Sequence, residues 1–301
     1  MSHPDEAITQ AIRRFLPIPV LPPRTYAANL FRDTIAMLRG RQDPLIPPSR
    51  LMFDGPPDPA VFRANGQEFL RHFIDLAGLQ PHERILDIGC GIGRKTLPLT
   101  GYLSASGSYD GLDIVKTGIT WCRRHITPRF GNFRFHWIDI YNRHYNPQGR
   151  QQDSEYRFPF PTSWFDLVIM TSVLTHVLPD VLEHYLAETS RVLKPGGRCF
   201  ITYFLLNDDS RTFLKKGMSS IPSQPAAEGI YGVADSVVPE AAVSYDESFV
   251  LRLYHRYGLR ARTPLHYGSW CGRAGGVSFQ DIVVGVKQGD QVTAFPGRPT
   301  Q

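Results

Sequence analysis

"RILDIGCGIGRKT" (residues 84–96) sets a short apolar run and an acid, Asp87, ahead of glycines at 89, 91 and 93. Glycines at the C-terminal end of a strand let the backbone turn sharply and approach a ligand closely. A dinucleotide-binding turn would follow G-x-G-x-x-G, and this chain has Arg94 where the third glycine would stand. The spacing therefore disfavours a nicotinamide oxidoreductase.

Outward from this turn, strand-like and helix-like segments alternate as far as about residue 206. "RILDIGC", "GSYDGLDI", "NFRFHWIDI", "FDLVIMTSV" and "GRCFITYFLL" read as strands. Helices are expected after Gly93, after Val115 and over 180–193, where Leu182, Tyr185, Leu186, Val192 and Leu193 fall at helical spacing. The "KPGG" at 194–197 should end that helix and turn the chain into the next strand. Near-continuous apolar strands alternating with helices predict an α/β fold with a mainly parallel sheet covered on both faces.

The flanks differ. Residues 1–80 are rich in proline and arginine and read as an N-terminal helical cap, with helices in "YAANLFRDTIAMLRGR" and in "GQEFLRHFIDLAGL" (66–79). Seven arginines against four acids in residues 1–50 make the first helix basic, so it can cap the next domain or touch a membrane surface. Residues 81–288 form the main domain, within which 207–245 lose periodicity and read as an insertion or lid. A helix over 246–258 and two strands, "LRARTPLHYG" and "QDIVVGVK", close it; their short connection predicts antiparallel pairing. Residues 289–301 read as a flexible tail.

A chain of 301 residues with 42% hydrophobic and 20% charged content can bury a sizeable core. The net charge of +5 fits a mildly basic solvated surface, and no Lys/Arg block interleaved with aromatics argues for nucleic acid. Cys90, Cys122, Cys199 and Cys271 lie too far apart for a C-x-x-C zinc site, which points to a reducing compartment. Asp5 and Glu6 precede any apolar stretch and prolines break the one apolar run, so no signal peptide is expected; no stretch reaches the length of a membrane span. The expected location is the cytoplasm. Oligomeric state is not written in the sequence.

Three acids end successive strands: Asp87, then Asp113, 20 residues beyond Gly93, then Asp139. Open α/β sheets bind ligands in the crevice at these strand ends, and a carboxylate at Asp113 can accept both hydroxyls of a ribose. Each acid could instead cap the following helix, but three in succession beside a glycine turn favour a ligand.

"LDIGCGIGR", "YDGLDI", "WIDI", "FDLVIMTSVLTHV" and "RVLKPGGR", in this order, resemble the motifs of the class I S-adenosylmethionine-dependent methyltransferases. The resemblance covers about 84–206 and implies a Rossmann-like seven-stranded sheet with its seventh strand antiparallel. It implies S-adenosylmethionine as cofactor, with Gly89, Gly91 and Gly93 passing the methionine part, Asp113 taking the ribose and Asp139 with Ile140 framing the adenine. Asp87, Cys90, Ile114 and Thr171 are further cofactor-binding candidates.

Transfer to an oxygen needs a base as well as alignment. His176, just after the fourth strand in "TSVLTHVLP", is the candidate catalytic base, or else a residue that shapes the pocket. The loop "LHYGSWCGR" gathers His266, Tyr267, Trp270 and Arg273, a combination suited to a sugar or other polyhydroxylated acceptor and equally to internal packing. Tyr141, in "DIYNRHYNP" with Asn142, His144, Tyr145 and Asn146, is a further acceptor candidate. Asn207, Asp208 and Asp209 could serve a metal only with an acid after the fourth strand, where the chain has Thr171 and Ser172; no metal is expected. The expected activity is O-methylation of a small hydroxylated acceptor such as a sugar, glycan or natural-product intermediate. The alternatives are an N-methyltransferase, an RNA or protein methyltransferase, and a non-catalytic module that binds the cofactor, whose sign would be a degraded glycine motif.

Overall fold

A computed structural model describes residues 23–38, 43–143, 145–226 and 229–289. Two helices come first, α1 (Pro23–Leu38) and α2 (Pro59–Asp75). The main sheet then alternates with helices: β1 (Arg84–Ile88), α3 (Thr96–Leu99), β2 (Ser108–Asp113), α4 (Lys116–His125), β3 (Phe133–Trp137), β4 (Phe165–Met170), α5 (Pro179–Val192) and β5 (Leu193–Tyr203). A second, small sheet follows with β6 (Leu205–Leu206), α6 (Asp208–Lys215), β7 (Gln224–Pro225), β8 (Tyr231–Val233) and β9 (Val243–Asp246). The chain returns to the main sheet through α7 (Glu247–Arg256), β10 (Leu259–Ala261) and β11 (Asp281–Lys287).

The main sheet has seven strands in the order β10-β11-β5-β4-β1-β2-β3. Strands β1 to β5 are parallel, and β11 runs antiparallel to both β5 and β10. This is the expected Rossmann-like seven-stranded arrangement with the last strand reversed. Its register sets the site: Ile88 stands beside Leu112 on β2 and Met170 on β4, so the ends of three strands open side by side.

Alternation along the strands divides the core in two. Ile85, Leu167, Ile169 and Phe200 face one side, where they pack with Phe69 and Phe73 of α2 and with Ile119 and Cys122 of α4. Leu86, Ile88, Val168, Met170 and Ile201 face the other, against Leu182, Tyr185 and Leu186 of α5 and Val250 and Leu253 of α7. Apolar residues on both faces explain the continuous apolar runs in the sequence. Phe73 and Phe200 meet edge to face at 4.9 Å, so α2 shares the sheet's own core.

Several elements differ from expectation for local reasons. Helix α5 stops at Val192, and "KPGG" lies within β5 as an irregularity: Phe165 pairs with Leu193 but Leu167 with Arg198, and Gly196 at φ +77° lets the extra residues loop out. Helix α3 is a single turn. Strand β10 ends at Ala261, three residues before Pro264, which has no amide hydrogen to continue the ladder. The region 207–245, which reads as aperiodic, holds α6 and most of a four-stranded sheet ordered β6-β9-β8-β7. Asn207 and Ser210 form a reciprocal capping box at the start of α6. Residues 1–22, 290–301 and His144 lie outside the described residues. Among the described residues no helix is long and apolar enough to cross a membrane.

Candidate functional site

The turn after β1 is built by three left-handed glycines, Gly89 at φ +75°, Gly91 at +59° and Gly93 at +88°. Side chains cannot replace them at two points. A Cβ at position 89 would lie 2.3 Å from Val173 Cγ2, and one at position 91 would lie 2.4 Å from Asp54 Oδ2. The amides of Gly89 and Cys90 both donate to the Leu112 carbonyl, at 2.8 and 3.0 Å, which ties the turn to the end of β2.

Asp113 completes that tie. Its Oδ2 accepts the Gly91 amide and its Oδ1 the Val115 amide, each at 2.7 Å. Burial raises its pKa to about 6, against the opposing effect of these amides. Both oxygens keep lone pairs beyond the backbone bonds, and Asp113 lines the cavity at the strand ends. Asp87 sits behind the turn. Its Oδ2 accepts the Tyr109 hydroxyl at 2.6 Å, its Oδ1 is buried without a partner, and burial pushes its pKa to about 7.

The cavity measures about 320 Å³, within the small-molecule range. Of the residues expected around a cofactor, Gly89, Gly91, Asp113, Ile114, Ile140 and Thr171 line it. His176 lines it too, from a single helical turn, Leu174–His176, after β4. Its Nδ1 lies 2.9 Å from the Glu240 carbonyl, in the stretch that leads into β9. A carbonyl only accepts, so Nδ1 carries the hydrogen and Nε2 is the basic nitrogen of the neutral ring. Tyr145 meets the same imidazole edge to face at 5.5 Å.

Other expected residues are placed elsewhere. Cys90 and Gly93 do not line the cavity: Cys90 packs beneath Gly111, and burial pushes its thiol pKa up. Asp139 does not line it either: beyond the end of β3, Ile138 and Ile140 line the cavity while Asp139 Oδ2 accepts from Arg150 Nε at 2.8 Å. Tyr141 is exposed outside the cavity.

The aromatic loop is an internal brace and lines no part of the cavity. Trp270 is wholly buried against Phe204, and its Nε1 donates to Asp281 Oδ2 at 2.7 Å. Tyr267 donates to Glu247 at 3.0 Å, while the Arg273 guanidinium stacks on its ring at 4.4 Å and faces Asp281 at 3.7 Å. The backbone of His266 pairs with Ile282. Asp281 organises this set, since it also accepts the Leu205 and Gly268 amides at 2.7 Å. Asn207, next to it, is used as the cap of α6 and as a donor to Glu247 at 2.8 Å.

One wall of the cavity has no local signature in the sequence. Phe53, Asp54 and Gly55, from the stretch between α1 and α2, enter the cavity beside the glycine turn. Arg94, itself almost wholly buried, holds Asp54 Oδ1 from Nε at 3.3 Å and Nη2 at 3.1 Å. Lys95, Asp153, Ser172 and Tyr185 also line the cavity. Burial lowers the pKa of Lys95 and raises that of Asp153. Ser172, at φ +58°, is a left-handed non-glycine residue at the end of β4, the kind of backbone outlier that gathers at functional sites.

Comparison with known proteins agrees with this geometry. Residues 86–201 match the family model of a methyltransferase domain. A fatty-acid O-methyltransferase of Mycolicibacterium smegmatis is 33% identical over 129 residues, 42% of this chain and 37% of that protein. A ubiquinone/menaquinone biosynthesis C-methyltransferase of Azotobacter vinelandii is 32% identical over 136 residues, 44% of this chain and 47% of that protein. The match thus spans less than half the length of these curated relatives. The solved structure of the PH0226 protein from Pyrococcus horikoshii shares the fold with a TM-score of 0.51 at 17% identity, covering 75% of this chain and 91% of that one.

The residues present fit S-adenosylmethionine, the cofactor of this class. The glycine cradle leaves no room for side chains, Asp113 offers carboxylate oxygens to a diol, and the buried Thr171 hydroxyl has no protein partner. Residues 86–201 match a methyltransferase domain, and the seven-stranded sheet and glycine cradle fit the class I, S-adenosylmethionine-dependent type. The two relatives carry a methyl to oxygen in one name and to carbon in the other, so the match leaves the acceptor atom to the chain's own residues.

Proposed function

We propose that this chain methylates a hydroxyl oxygen of a small acceptor, with His176 as the general base. The observation that carries the reading is the fixed imidazole: His176 lines the cavity and its Nδ1 is held by the Glu240 carbonyl at 2.9 Å. In the neutral ring that bond makes Nε2 the basic nitrogen, the atom that would take the proton of an acceptor hydroxyl.

S-adenosylmethionine supplies an already activated methyl group on a sulfonium centre. The chain therefore mainly supplies alignment, worth up to about 7–11 kcal/mol of the barrier, and a base worth about 10²–10⁴-fold. Asp113 would orient the ribose, Ile114, Ile138 and Ile140 would flank the adenine, and Gly89, Gly91 and Thr171 would border the methionine part. Val173 and Val177, with Tyr145 and Tyr185, make the adjoining wall largely apolar. Burial raises the Tyr145 pKa to about 12, so its hydroxyl stays protonated beside the apolar wall.

This wall supports an acceptor with an apolar body and one reacting hydroxyl over a sugar, because the loop that suggested a sugar packs inside the protein. Four buried, unpaired cysteines support a reducing compartment such as the cytoplasm. The test is a screen of small phenols and alcohols with methyl-labelled S-adenosylmethionine, scored for labelled ether. Label on carbon or nitrogen, or label only on RNA, would replace the oxygen reading.

A further inference from the structure

We propose, on the reading of this cavity as the cofactor site, that Asp54 is a cofactor-binding residue whose carboxylate takes the α-ammonium of the amino-acid end of S-adenosylmethionine. Asp54 belongs to the stretch between α1 and α2, outside residues 86–201 that match the methyltransferase model. It nonetheless lines the cavity and lies directly over the glycine turn, with Oδ2 only 2.4 Å from where a side chain at Gly91 would begin.

The two oxygens of Asp54 are used unequally. Oδ1 accepts both bonds from Arg94, at 3.3 and 3.1 Å. Oδ2 has a single long bond, from the Ile92 amide at 3.5 Å. A carboxylate oxygen can accept about two good bonds, so Oδ2 keeps capacity on the side of Gly91. Arg94 is locked in turn, since its guanidinium lies over the Phe62 ring at 4.8 Å with almost no exposure. The acceptor is thus held in place before any ligand arrives, which lowers the ordering cost of binding.

Position and charge select the ligand group. Asp113 accepts the Gly91 amide and marks the proposed ribose position, so a ligand that continues along the turn passes under Asp54. Among the described residues, Asp54, Asp113 and Asp153 line the cavity against one lysine or arginine, Lys95. Such a wall favours a ligand of net positive charge, and S-adenosylmethionine carries a sulfonium and an ammonium against one carboxylate. An ammonium on Oδ2 would make a charge-assisted hydrogen bond, the stronger class of such bonds.

The test compares wild type and Asp54→Asn by calorimetry with three ligands. They are S-adenosylhomocysteine, its analogue without the α-amino group, and 5′-methylthioadenosine, which lacks the whole amino-acid end. Removing the amino group should weaken binding to wild type about 10- to 100-fold, and Asp54→Asn should weaken S-adenosylhomocysteine by a similar factor. The variant should bind 5′-methylthioadenosine within about twofold of wild type, and the amino-free analogue should bind both proteins alike. Equal weakening of all three ligands by Asp54→Asn would overturn the proposal and leave Asp54 as a brace for Arg94. So would wild type that binds the amino-free analogue as tightly as S-adenosylhomocysteine, an arm that needs no folded variant. Wild type that binds none of the three overturns the cofactor reading itself, and is thereby distinct from failure of the Asp54 assignment alone.

Discussion

The Gly91 amide donates to Asp113 Oδ2 at 2.7 Å, so the turn after β1 and the acid at the end of β2 form one unit. A change in either residue therefore reaches both the Asp113 carboxylate and the glycine cradle. Asp113→Ala should weaken S-adenosylhomocysteine and 5′-methylthioadenosine alike, by about 100-fold, since both share the ribose. Calorimetric titration of the two ligands checks it; loss confined to one of them would place the ribose elsewhere.

Gly91→Ala tests the cradle with the smallest side chain. The position has φ +59° and an added Cβ would meet Asp54 Oδ2 at 2.4 Å. The left-handed conformation alone costs a non-glycine residue about 1–2 kcal/mol, and the contact adds to it. The expected outcome is a lower melting temperature together with weaker ligand binding. An unchanged melting curve would mean that the turn adopts another conformation in solution.

Asp87 and Asp113 set a pH dependence. Burial raises their folded pKa values to about 7 and about 6, above the unfolded carboxylate value. Between pH ~4 and ~7 the folded protein therefore holds protons that the unfolded chain has released, and stability falls as pH rises through that window. Asp87→Asn should flatten this slope in denaturant titrations across pH. On the proposal that ribose hydroxyls donate to the charged form of Asp113, cofactor binding near pH 6 should release protons, read as a dependence of the binding enthalpy on buffer ionisation. Proton uptake on binding would contradict the assignment.

His176→Gln should lower kcat by about 10²–10⁴-fold and leave the affinity for S-adenosylhomocysteine unchanged. A variant that keeps wild-type kcat across pH would show that the imidazole only shapes the pocket.

Trp270 provides the opposite case, a residue of stability alone. Trp270→Ala should destabilise by about 3–5 kcal/mol, the usual cost of emptying a large buried aromatic site. Trp270→Phe should cost about 1–3 kcal/mol, because Asp281 Oδ2 loses the indole donor now 2.7 Å away. Acceptor KM in the Phe variant should match wild type. A raised acceptor KM would return the loop 265–273 to the acceptor site.

The sheet was legible because its signal is local: apolar runs, glycine punctuation and acids at strand ends recur at short range. Asp113, Gly89 and Gly91 were readable for the same reason. Asp139 shows the limit, since it lies two residues beyond the end of β3, where the chain places Ile138 and Ile140 in the cavity wall and Asp139 on Arg150. Trp270 looked like a binding aromatic because composition does not distinguish a buried indole from an exposed one; the deciding partner, Asp281, lies 11 residues on. Asp54 was invisible because it meets Arg94 across 40 residues, with no periodicity to announce the contact. His176 was readable from its place after β4, but its tautomer depends on Glu240, 64 residues away.

The central claim is that the cavity at the ends of β1, β2 and β4 holds S-adenosylmethionine over the glycine turn. Titration of S-adenosylhomocysteine and of NAD into wild type and Gly91→Arg tests it most directly. The account predicts one S-adenosylhomocysteine bound per chain at micromolar affinity, abolished by Gly91→Arg, and no heat with NAD. Binding that survives Gly91→Arg, or NAD in place of the adenosyl ligand, would contradict it.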